Sequence, residues 1–389
     1  MPFIAQFVLP LLSYLNFNIA VILSAVLLIF SPIFLLGCTS PLFIRLNAAT
    51  LDTVGLISGK VYAISTFGGI VSTFLCGFFL IPELGLKNTL LIFSILLFVS
   101  GFLTLKTIKP VASILFIAAL FVSFKSINET KKHLFNAYGV LGEITVSEFE
   151  RDGKKIRALQ VNKIIQTEMD LASNKSNLPY ISIIDSLVEV KKEKAEALVL
   201  GLGGGMVANM LCKKNFKVDG VEFDNRIIES AKNYFYLNSN VNAINNDARR
   251  YINHCKKKYD LIIFDLFKAE EQPAHIITIE SLKTLKQIIN PNAVVILNWH
   301  GYQTLPLGKG TEILLNTFRS SGFDIDVIPT GPIEDYRNLL IVAHSSNVVD
   351  NNSLSLVNTD DCPRIERANA GANIVWRKNY LKYYQSINQ

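Results

Sequence analysis

The sequence predicts an N-terminal helical transmembrane bundle followed by an α/β domain, a doubly wound and mostly parallel seven-stranded sheet fronted by a small antiparallel β lid. Three observations carry this expectation. Residues 1–124 are almost free of charge and contain apolar runs long enough to cross a bilayer. From Ala195 onward, short apolar strands alternate with helical patterns, the signature of a parallel sheet covered on both faces. The first of these strands, Ala197-Leu198-Val199-Leu200, runs straight into Gly201-Leu202-Gly203-Gly204-Gly205, and acids follow at the tips of later strands.

Charge divides the 389 residues unevenly. Of 38 Lys and Arg and 32 Asp and Glu, residues 1–124 hold only Arg45, Lys60, Lys87, Lys106, Lys109, Asp52 and Glu83. That leaves 33 basic and 30 acidic groups for the remainder, so the formal +6 is no concentrated basic face, and nucleic acid is not expected as a partner. Segments 19–36 and 61–82 are long enough to span a bilayer, and 88–105 is adequate. Segment 111–124 makes a fourth span by borrowing flanking residues or thinning the membrane, and the first fifteen residues leave room for a fifth. A cleaved signal peptide is not expected, because the basic leading region is missing and apolar spans keep coming. Lys125, Lys131 and Lys132 outweigh Lys106 and Lys109 in the preceding loop. They predict a multi-pass protein of the cell membrane, in contact with lipid, whose polar half is cytoplasmic. Gly68, Gly69 and Gly77 suggest close helix packing there. Cys38, Cys76, Cys212, Cys255 and Cys362 form no C-x-x-C pair, which fits a reduced compartment and argues against a zinc site.

The expected domains are a transmembrane domain at 1–125, a linker at 126–136, the β-domain at 137–170 and the α/β domain at 171–389. In the β-domain, 142–150 alternates apolar and polar residues, Asp152-Gly153 supplies a hairpin turn, 155–161 returns, and 164–169 adds a short strand. Segment 178–190 has helical spacing. The sheet strands are expected at 197–201, 217–222, 241–244, 260–265, 293–298, 323–328 and 338–343. Helices fall between them at 206–213, 225–236, 248–255, 277–289 and 311–321. Asn290-Pro291-Asn292 is expected to end the fourth helix.

The glycine turn and the strand-end acids point to a nucleoside. Gly201, Gly203 and Gly205 let the backbone turn tightly and approach a ligand with no Cβ in the way, and the following helix offers free N–H groups. Glu222 closes the second strand, where a carboxylate accepts both ribose hydroxyls or merely stands in solvent. Asp247-Ala248 ends the third strand and opens a helix, so Asp247 is placed either for an adenine amino group or as the helix N-cap; Asp224 has the same two readings. Asp265 closes the apolar run Leu261-Ile262-Ile263-Phe264 and is the residue placed for chemistry, accepting a proton or holding a cation. Gln166 and Tyr180 flank the lid and are further candidates for substrate contact. His300 sits at a strand's carboxyl end, a position that faces the crevice, although a lone histidine is more often structural. Arg249 and Arg250 read as surface residues.

Together these residues resemble the polyamine aminopropyltransferase (spermidine/spermine synthase) family, in its membrane-anchored branch. Gly59-Lys60-Val61-Tyr62-Ala63-Ile64-Ser65-Thr66-Phe67-Gly68 and Gly77-Phe78-Phe79-Leu80-Ile81-Pro82 are similar to the helical module fused to such domains. Tyr138-Gly139, the hairpin and Ile165-Gln166 resemble the family's β-domain. The glycine loop, Val221-Glu222-Phe223-Asp224, Asp247-Ala248 and the run from Tyr259-Asp260 to Asp265 match its nucleoside site; Thr359-Asp360-Asp361 with Pro363 and Glu366 is similar to a closing motif. The resemblance implies that decarboxylated S-adenosylmethionine is the co-substrate, with Glu222 on its ribose and Asp247 near its adenine. It further implies that an amine such as putrescine attacks, that Asp265 accepts the proton, and that no cofactor or metal is needed. Homo-oligomerisation is left open. Two departures stand out: soluble members carry an acid where this chain has Gly204, and a second one where it has Lys268. Glu168, Asp170, Glu270 and Glu271 are candidates to compensate.

Two other readings compete. An S-adenosylmethionine-dependent methyltransferase shares the sheet and the nucleoside acids, although Asp265-Leu266-Phe267-Lys268 lacks the Pro-Pro-aromatic of amino-methylating enzymes. A membrane protein with a regulatory nucleoside-binding domain is the other; too few spans and no intramembrane ion pair argue against a complete transporter.

Overall fold

The computed structural model describes residues 8–9, 11–12, 14–48, 50–104, 133–139, 142–191, 193, 195–267, 273–346 and 356–386. The chain divides into two compact units, Met1–Lys132 with Tyr138–Val140 and His133–Ala137 with Leu141–Gln389.

In the first unit the apolar sequence folds into two helical runs, Asn18–Asn47 and Asp52–Leu103, each long and apolar enough to cross a membrane. Asn16 opens the first run by accepting the Asn18 N–H at 3.1 Å, and Thr50 with Thr53 forms a capping box at the second. Each run contains one π-helical turn, Val26–Phe30 and Cys76–Leu80. The second breaks at Gly85, whose φ of 78° only glycine adopts cheaply, so residues 61–82 and 88–104 lie on helical segments either side of that residue. The expected span 111–124 and most of the first fifteen residues lie outside the described residues. None of the most apolar window of either run is buried within the protein; Ile64, Phe67 and Leu103 are each more than 70% exposed.

After the helical runs comes a four-stranded antiparallel sheet in the order β1-β2-β3-β4: Phe135–Gly139, Gly142–Arg151, Lys154–Val161 and Ile164–Asp170. The Asp152-Gly153 turn forms as expected, with positive φ at both residues (52° and 72°). β1 is a strand that the sequence pattern does not announce, and it starts at Phe135, inside the expected linker.

The main sheet has the seven expected strands, in the order β10-β11-β9-β8-β5-β6-β7. They are β5 (Ala195–Leu200), β6 (Phe216–Glu222), β7 (Asn242–Asn245), β8 (Tyr259–Phe264), β9 (Ile289–Trp299), β10 (Phe323–Pro329) and β11 (Leu339–Ser345). β7, β6, β5, β8 and β9 are parallel; β11 runs antiparallel to both β9 and β10. The architecture is therefore Rossmann-like, with a mixed sheet. Along β5 the side chains alternate between two cores: Ala197 and Val199 on one face, Leu198 and Leu200 on the other. All four are at most 1% exposed. At about 1.5–3 kcal/mol per large apolar side chain, Leu198, Val199 and Leu200 alone hold the strand centrally.

Two expectations need correction. Asn290-Pro291-Asn292 is not itself the helix end: the helix Ile279–Leu285 runs on as a 3₁₀ turn to Ile288, and the three residues lie inside β9 at a register shift, with Asn292 at φ 64°. A bulge leaves Pro291 with no ladder bond to supply, so proline is tolerated there. A C-terminal helix, Ile365–Ser386, follows the last strand and was not among the expected elements. Ile365 and Ala372 on its inner face are fully buried.

Candidate active site

The strand order reverses at β5, because β6 and β7 extend the sheet on one side while β8 continues it on the other. In an open α/β sheet, ligands bind at the carboxyl ends beside such a switch point. Gly201 follows β5 and Asp265 follows β8, and they are close neighbours: a Cβ at Gly201 would come within 2.2 Å of the Asp265 carbonyl oxygen. Gly201, Gly203 and Gly205 have φ of 89°, 52° and 76°, so the chain reaches the helix Met206–Lys213 through left-handed backbone that a side chain would strain.

Glu222 at the tip of β6 turns its carboxylate toward this loop. Oε2 accepts the N–H groups of Leu202 (3.1 Å) and Gly203 (3.4 Å), and Oε1 accepts that of Asp224 (3.1 Å). Burial pushes its carboxyl above the ordinary value, and these three backbone donors oppose that. The solvated-acid reading does not hold for Glu222. Asp224 is committed elsewhere: it caps the helix Asn225–Tyr234 through the Arg226 N–H and pairs with the Arg226 guanidinium. Asp247 caps the helix Ala248–His254, with Oδ1 accepting the Arg250 N–H at 2.8 Å. Its neighbour Asn246 donates its N–H to the Glu222 carbonyl, which keeps both acids at one edge of the sheet; Ala248 is buried.

Asp265 is held from two sides. The Tyr180 hydroxyl donates to Oδ2 and the Asn298 amide donates to Oδ1, both at 2.8 Å. Asn298 in turn accepts from the Asn338 amide at 2.8 Å. Burial raises the Asp265 carboxyl above its ordinary value, while the bonds from Asn298 and Tyr180 pull it back. Tyr180 is itself driven well above its usual range, first by burial and then by the Asp265 charge. A more basic carboxylate with fixed orientation is suited to taking a proton from a bound group.

A cavity of about 420 Å³ opens beside this pair, within the size range of small-molecule sites. Gln166 and Tyr180, the two residues singled out for substrate contact, both line it, as do Asn298 and Phe267. Asp265, Glu222, Asp247 and the glycines do not: Asp265 bonds the lining residues Tyr180 and Asn298, and the others occupy the neighbouring edge along the ends of β5, β6 and β7. His300 lines the cavity as well. Burial lowers it to about 4, so it is neutral near pH 7, and its ring packs edge-on against Trp376 at 4.8 Å.

Several contributors were not expected. The C-terminal helix brings Trp376 and Tyr380 to the cavity, stacked on each other at 5.0 Å; the Tyr380 hydroxyl accepts the Ile165 N–H and donates to the Lys163 carbonyl. The spacing of Ile365, Asn369, Ala372, Trp376 and Tyr380 at three or four residues is the signal that would have found this helix. Arg250 is exposed, whereas Arg249 is half-buried: it pairs with Asp360 and bonds the His275 carbonyl and the Thr278 hydroxyl, which gives the Thr359-Asp360-Asp361 motif a docking role. Buried Asn358 completes that clasp with donors and acceptors on both sides.

The two departures have structural settings of different clarity. At Gly204 a Cβ would meet Thr167 Cγ2 at 2.6 Å, and the Thr167 hydroxyl accepts the Gly204 N–H at 2.9 Å. Thr167 of β4 thus takes the space an acid would need. Lys268, Glu270 and Glu271 lie outside the described residues. Glu168 lines the cavity, but Arg151 holds both of its oxygens; Asp170 does not reach the cavity. Among the described residues no cluster of three or more His, Cys, Asp or Glu is placed to hold a metal ion.

Residues 180–303, which run from Tyr180 through the glycine loop and Asp265 to the end of β9, match the family model of the spermine/spermidine synthase domain. The likeness to that family's domain is carried by this stretch. A polyamine aminopropyltransferase of Vibrio vulnificus is 32% identical over 127 residues, which is 31% of this chain and 42% of that protein. Polyamine aminopropyltransferase 2 of Aquifex aeolicus is 25% identical over 282 residues, covering 67% of this chain and 57% of its own length. The chain therefore spans about half the length of these curated relatives. An N-terminal histidine N-methyltransferase of Emericella nidulans is 30% identical over 131 residues, 32% of this chain and 23% of that protein. Among solved structures, a probable spermidine synthase from Corynebacterium glutamicum covers 61% of this chain and 86% of its own, at 14% identity and a TM-score of 0.45, too distant to carry an argument.

Proposed function

We propose that the protein is a membrane-anchored polyamine aminopropyltransferase, which moves the aminopropyl group of decarboxylated S-adenosylmethionine to an amine such as putrescine and releases methylthioadenosine. The observation that carries this reading is Asp265, raised in basicity by burial and aimed by Tyr180 and Asn298 beside a cavity of small-molecule size. In the proposed reaction an ammonium first loses a proton, because it has no lone pair with which to attack. Asp265 takes that proton, and the freed nitrogen forms a bond to the aminopropyl carbon next to the sulfonium. The carbon–sulfur bond breaks and its electron pair returns to sulfur, which neutralises the sulfonium. Glu222 holds the ribose while its backbone donors keep the carboxylate fixed, and the glycine loop and Asp247-Ala248 complete the nucleoside site. Orienting two bound reactants supplies much of the rate in such a displacement. The nucleoside is a co-substrate, and the reaction as written asks for no further cofactor.

Membrane anchoring is supported by the exposed apolar helices Asn18–Asn47 and Asp52–Leu103, the longer of which has a break at Gly85 where a second crossing would begin. Lys125, Lys131 and Lys132 favour a cytoplasmic placement for the catalytic half. The β1–β4 sheet acts as the lid, since Ile164, Ile165, Gln166 and Glu168 of β4 line the cavity.

The second reading, an S-adenosylmethionine-dependent methyltransferase, is favoured by the likeness to the Emericella protein over a third of the chain. One experiment separates the two. The detergent-solubilised protein is supplied with decarboxylated S-adenosylmethionine or S-adenosylmethionine, with a panel of amines, and products are identified by mass spectrometry. Aminopropylated amine together with methylthioadenosine is the expected result. Methylated amine from the carboxylated nucleoside, with no methylthioadenosine, overturns the proposal.

A further inference from the structure

We propose that Arg249 and Asp360 are a positioning pair that holds Asp247 in register with the base of the bound nucleoside, so that the Thr359-Asp360-Asp361 motif sets base selectivity without touching the ligand. The assignment rests on the reading that Asp247 meets the adenine amino group, and it gives that contact a mechanical support.

Asp247 has two duties, and they use different oxygens. Oδ1 caps the helix Ala248–His254 by accepting the Arg250 N–H at 2.8 Å. Oδ2 is then the oxygen that serves a base. Its position follows the first turn of the helix, because a cap moves with the N–H group it accepts. That turn has little anchorage of its own. The helix has seven residues, of which Ala248 and Ile252 are buried, and β7, which leads into it, is the last strand of the sheet.

Arg249 supplies anchorage from outside. It lies in the first turn, where the positive end of the helix opposes a cation, so helix stability does not favour it there. Its guanidinium reaches away instead: one terminal nitrogen donates to Asp360 Oδ2 at 2.7 Å, and the other to the His275 carbonyl and the Thr278 hydroxyl, both at 2.9 Å. Thr278 gives its own proton to Asp360 Oδ1 at 2.7 Å, which closes a ring of three side chains. The planar fork of arginine makes this strut stiff where a lysine would leave it loose.

The far end of the strut is fixed in the core. The Asp360 N–H donates to Glu280 Oε2 at 3.0 Å. Asn358, fully buried, donates through its amide to the Ala274 and Ile277 carbonyls and accepts the N–H groups of Arg364 and Ile365 on Oδ1. Its backbone N–H donates to the buried Thr317 hydroxyl at 2.9 Å. Arg249 and Asp360 are 111 residues apart in sequence, yet together they connect the Asp247 cap to this node.

The test is calorimetric binding of methylthioadenosine and methylthioinosine to the full-length, detergent-solubilised protein. The second probe carries a carbonyl oxygen in place of the base amino group, so a carboxylate favours the first and repels the second. Wild type is expected to prefer methylthioadenosine by at least ~10-fold, the range of a hydrogen bond to a charged partner. Asp247→Asn, whose amide can donate to the carbonyl, is expected to abolish the preference. Arg249→Met and Asp360→Ala are each expected to reduce it by about 3–10-fold, and Arg249→Lys by less than Arg249→Met. The double variant should lose no more than the worse single one, because both break the same strut. The ratio of the two affinities is the decisive readout, since a loss of folded protein weakens both nucleosides alike; variants on both sides of the pair keep it readable if one melts early. Variants that keep the wild-type ratio, or a double variant whose losses add, overturn the pair. A wild type without preference, or a ratio unmoved by Asp247→Asn, overturns the base contact and the pair with it. Turnover is read separately: a protein whose ratio follows Asp247, Arg249 and Asp360 yet yields no aminopropylated amine keeps the pair and loses the transfer reading.

Discussion

Replacing Asp265 with asparagine separates its chemical duty from its structural one. The amide keeps the shape of the carboxylate. It can still accept from Asn298 while the Tyr180 hydroxyl turns to accept from the new NH2, so both 2.8 Å contacts survive with one reversed. The ability to take a proton does not survive. General-base contributions of about 10²–10⁴-fold correspond to roughly 3–5 kcal/mol of transition-state stabilisation, and turnover is expected to fall by that factor. Stability should move the other way. Burial raises the folded-state carboxyl above 3.8, so in the pH window just above that value the folded protein holds more protons than the unfolded one. Stability contributed by this group is full below 3.8 and is lost as pH rises through the folded value. Asparagine removes that loss, so Asp265→Asn is expected to melt higher than wild type at pH 7 and to lose the advantage in strong acid. The acid limb of the wild-type rate should lie above that of an ordinary carboxylate and should vanish in the variant. Release of methylthioadenosine across pH, with thermal melts at pH 4 and 7, measures all of this. A variant that keeps more than a tenth of wild-type turnover, or that melts lower at pH 7, refutes the reasoning.

The nucleoside edge and the lid yield two further predictions. Glu222→Gln has one acceptor oxygen left for the Leu202, Gly203 and Asp224 N–H groups and the ribose, so methylthioadenosine binding measured by calorimetry should weaken by about 1.5–3 kcal/mol; unchanged affinity would remove Glu222 from the site. Gly204→Asp, which supplies the acid of soluble members, drives a Cβ to 2.6 Å from Thr167 Cγ2 and should cost about 1–3 kcal/mol in thermal unfolding. Adding Thr167→Ala should recover most of that loss, and a single variant as stable as wild type would show that Thr167 does not occupy the position.

The fold was legible in the sequence wherever a local period decides the outcome. The central strands of the main sheet, β5 and β8, read clearly because each is a short apolar run bounded by turns and buried on both faces. The glycine loop read clearly because its three left-handed residues admit almost nothing else. The Asp152-Gly153 hairpin is of the same kind. Asn290-Pro291-Asn292 misled because proline ends helices as a rule, while a bulge in β9 absorbs it just as well. β1 was missed because it is a short edge strand, Phe-Asn-Ala-Tyr-Gly, with no apolar alternation of its own, and the helix Ile365–Ser386 because it buries Ile365 and Ala372 under a polar exterior.

By itself the sequence determined the parallel sheet, its glycine turn, and the strand-end positions of Glu222, Asp247 and Asp265. All of these follow from hydrophobic periodicity and from the backbone freedom of glycine. Which side chains meet was decided only in three dimensions. Tyr180 and Asn298 clamp Asp265 from 85 residues before it and 33 after. Arg151 cancels Glu168 across the antiparallel sheet, and Thr167 fills the place of an absent acid. Asp335 reaches the cavity on a loop with no motif of its own. Pattern along a chain reports the solvent each residue prefers, whereas charge partners and occupied space belong to pairs of residues that only folding brings together.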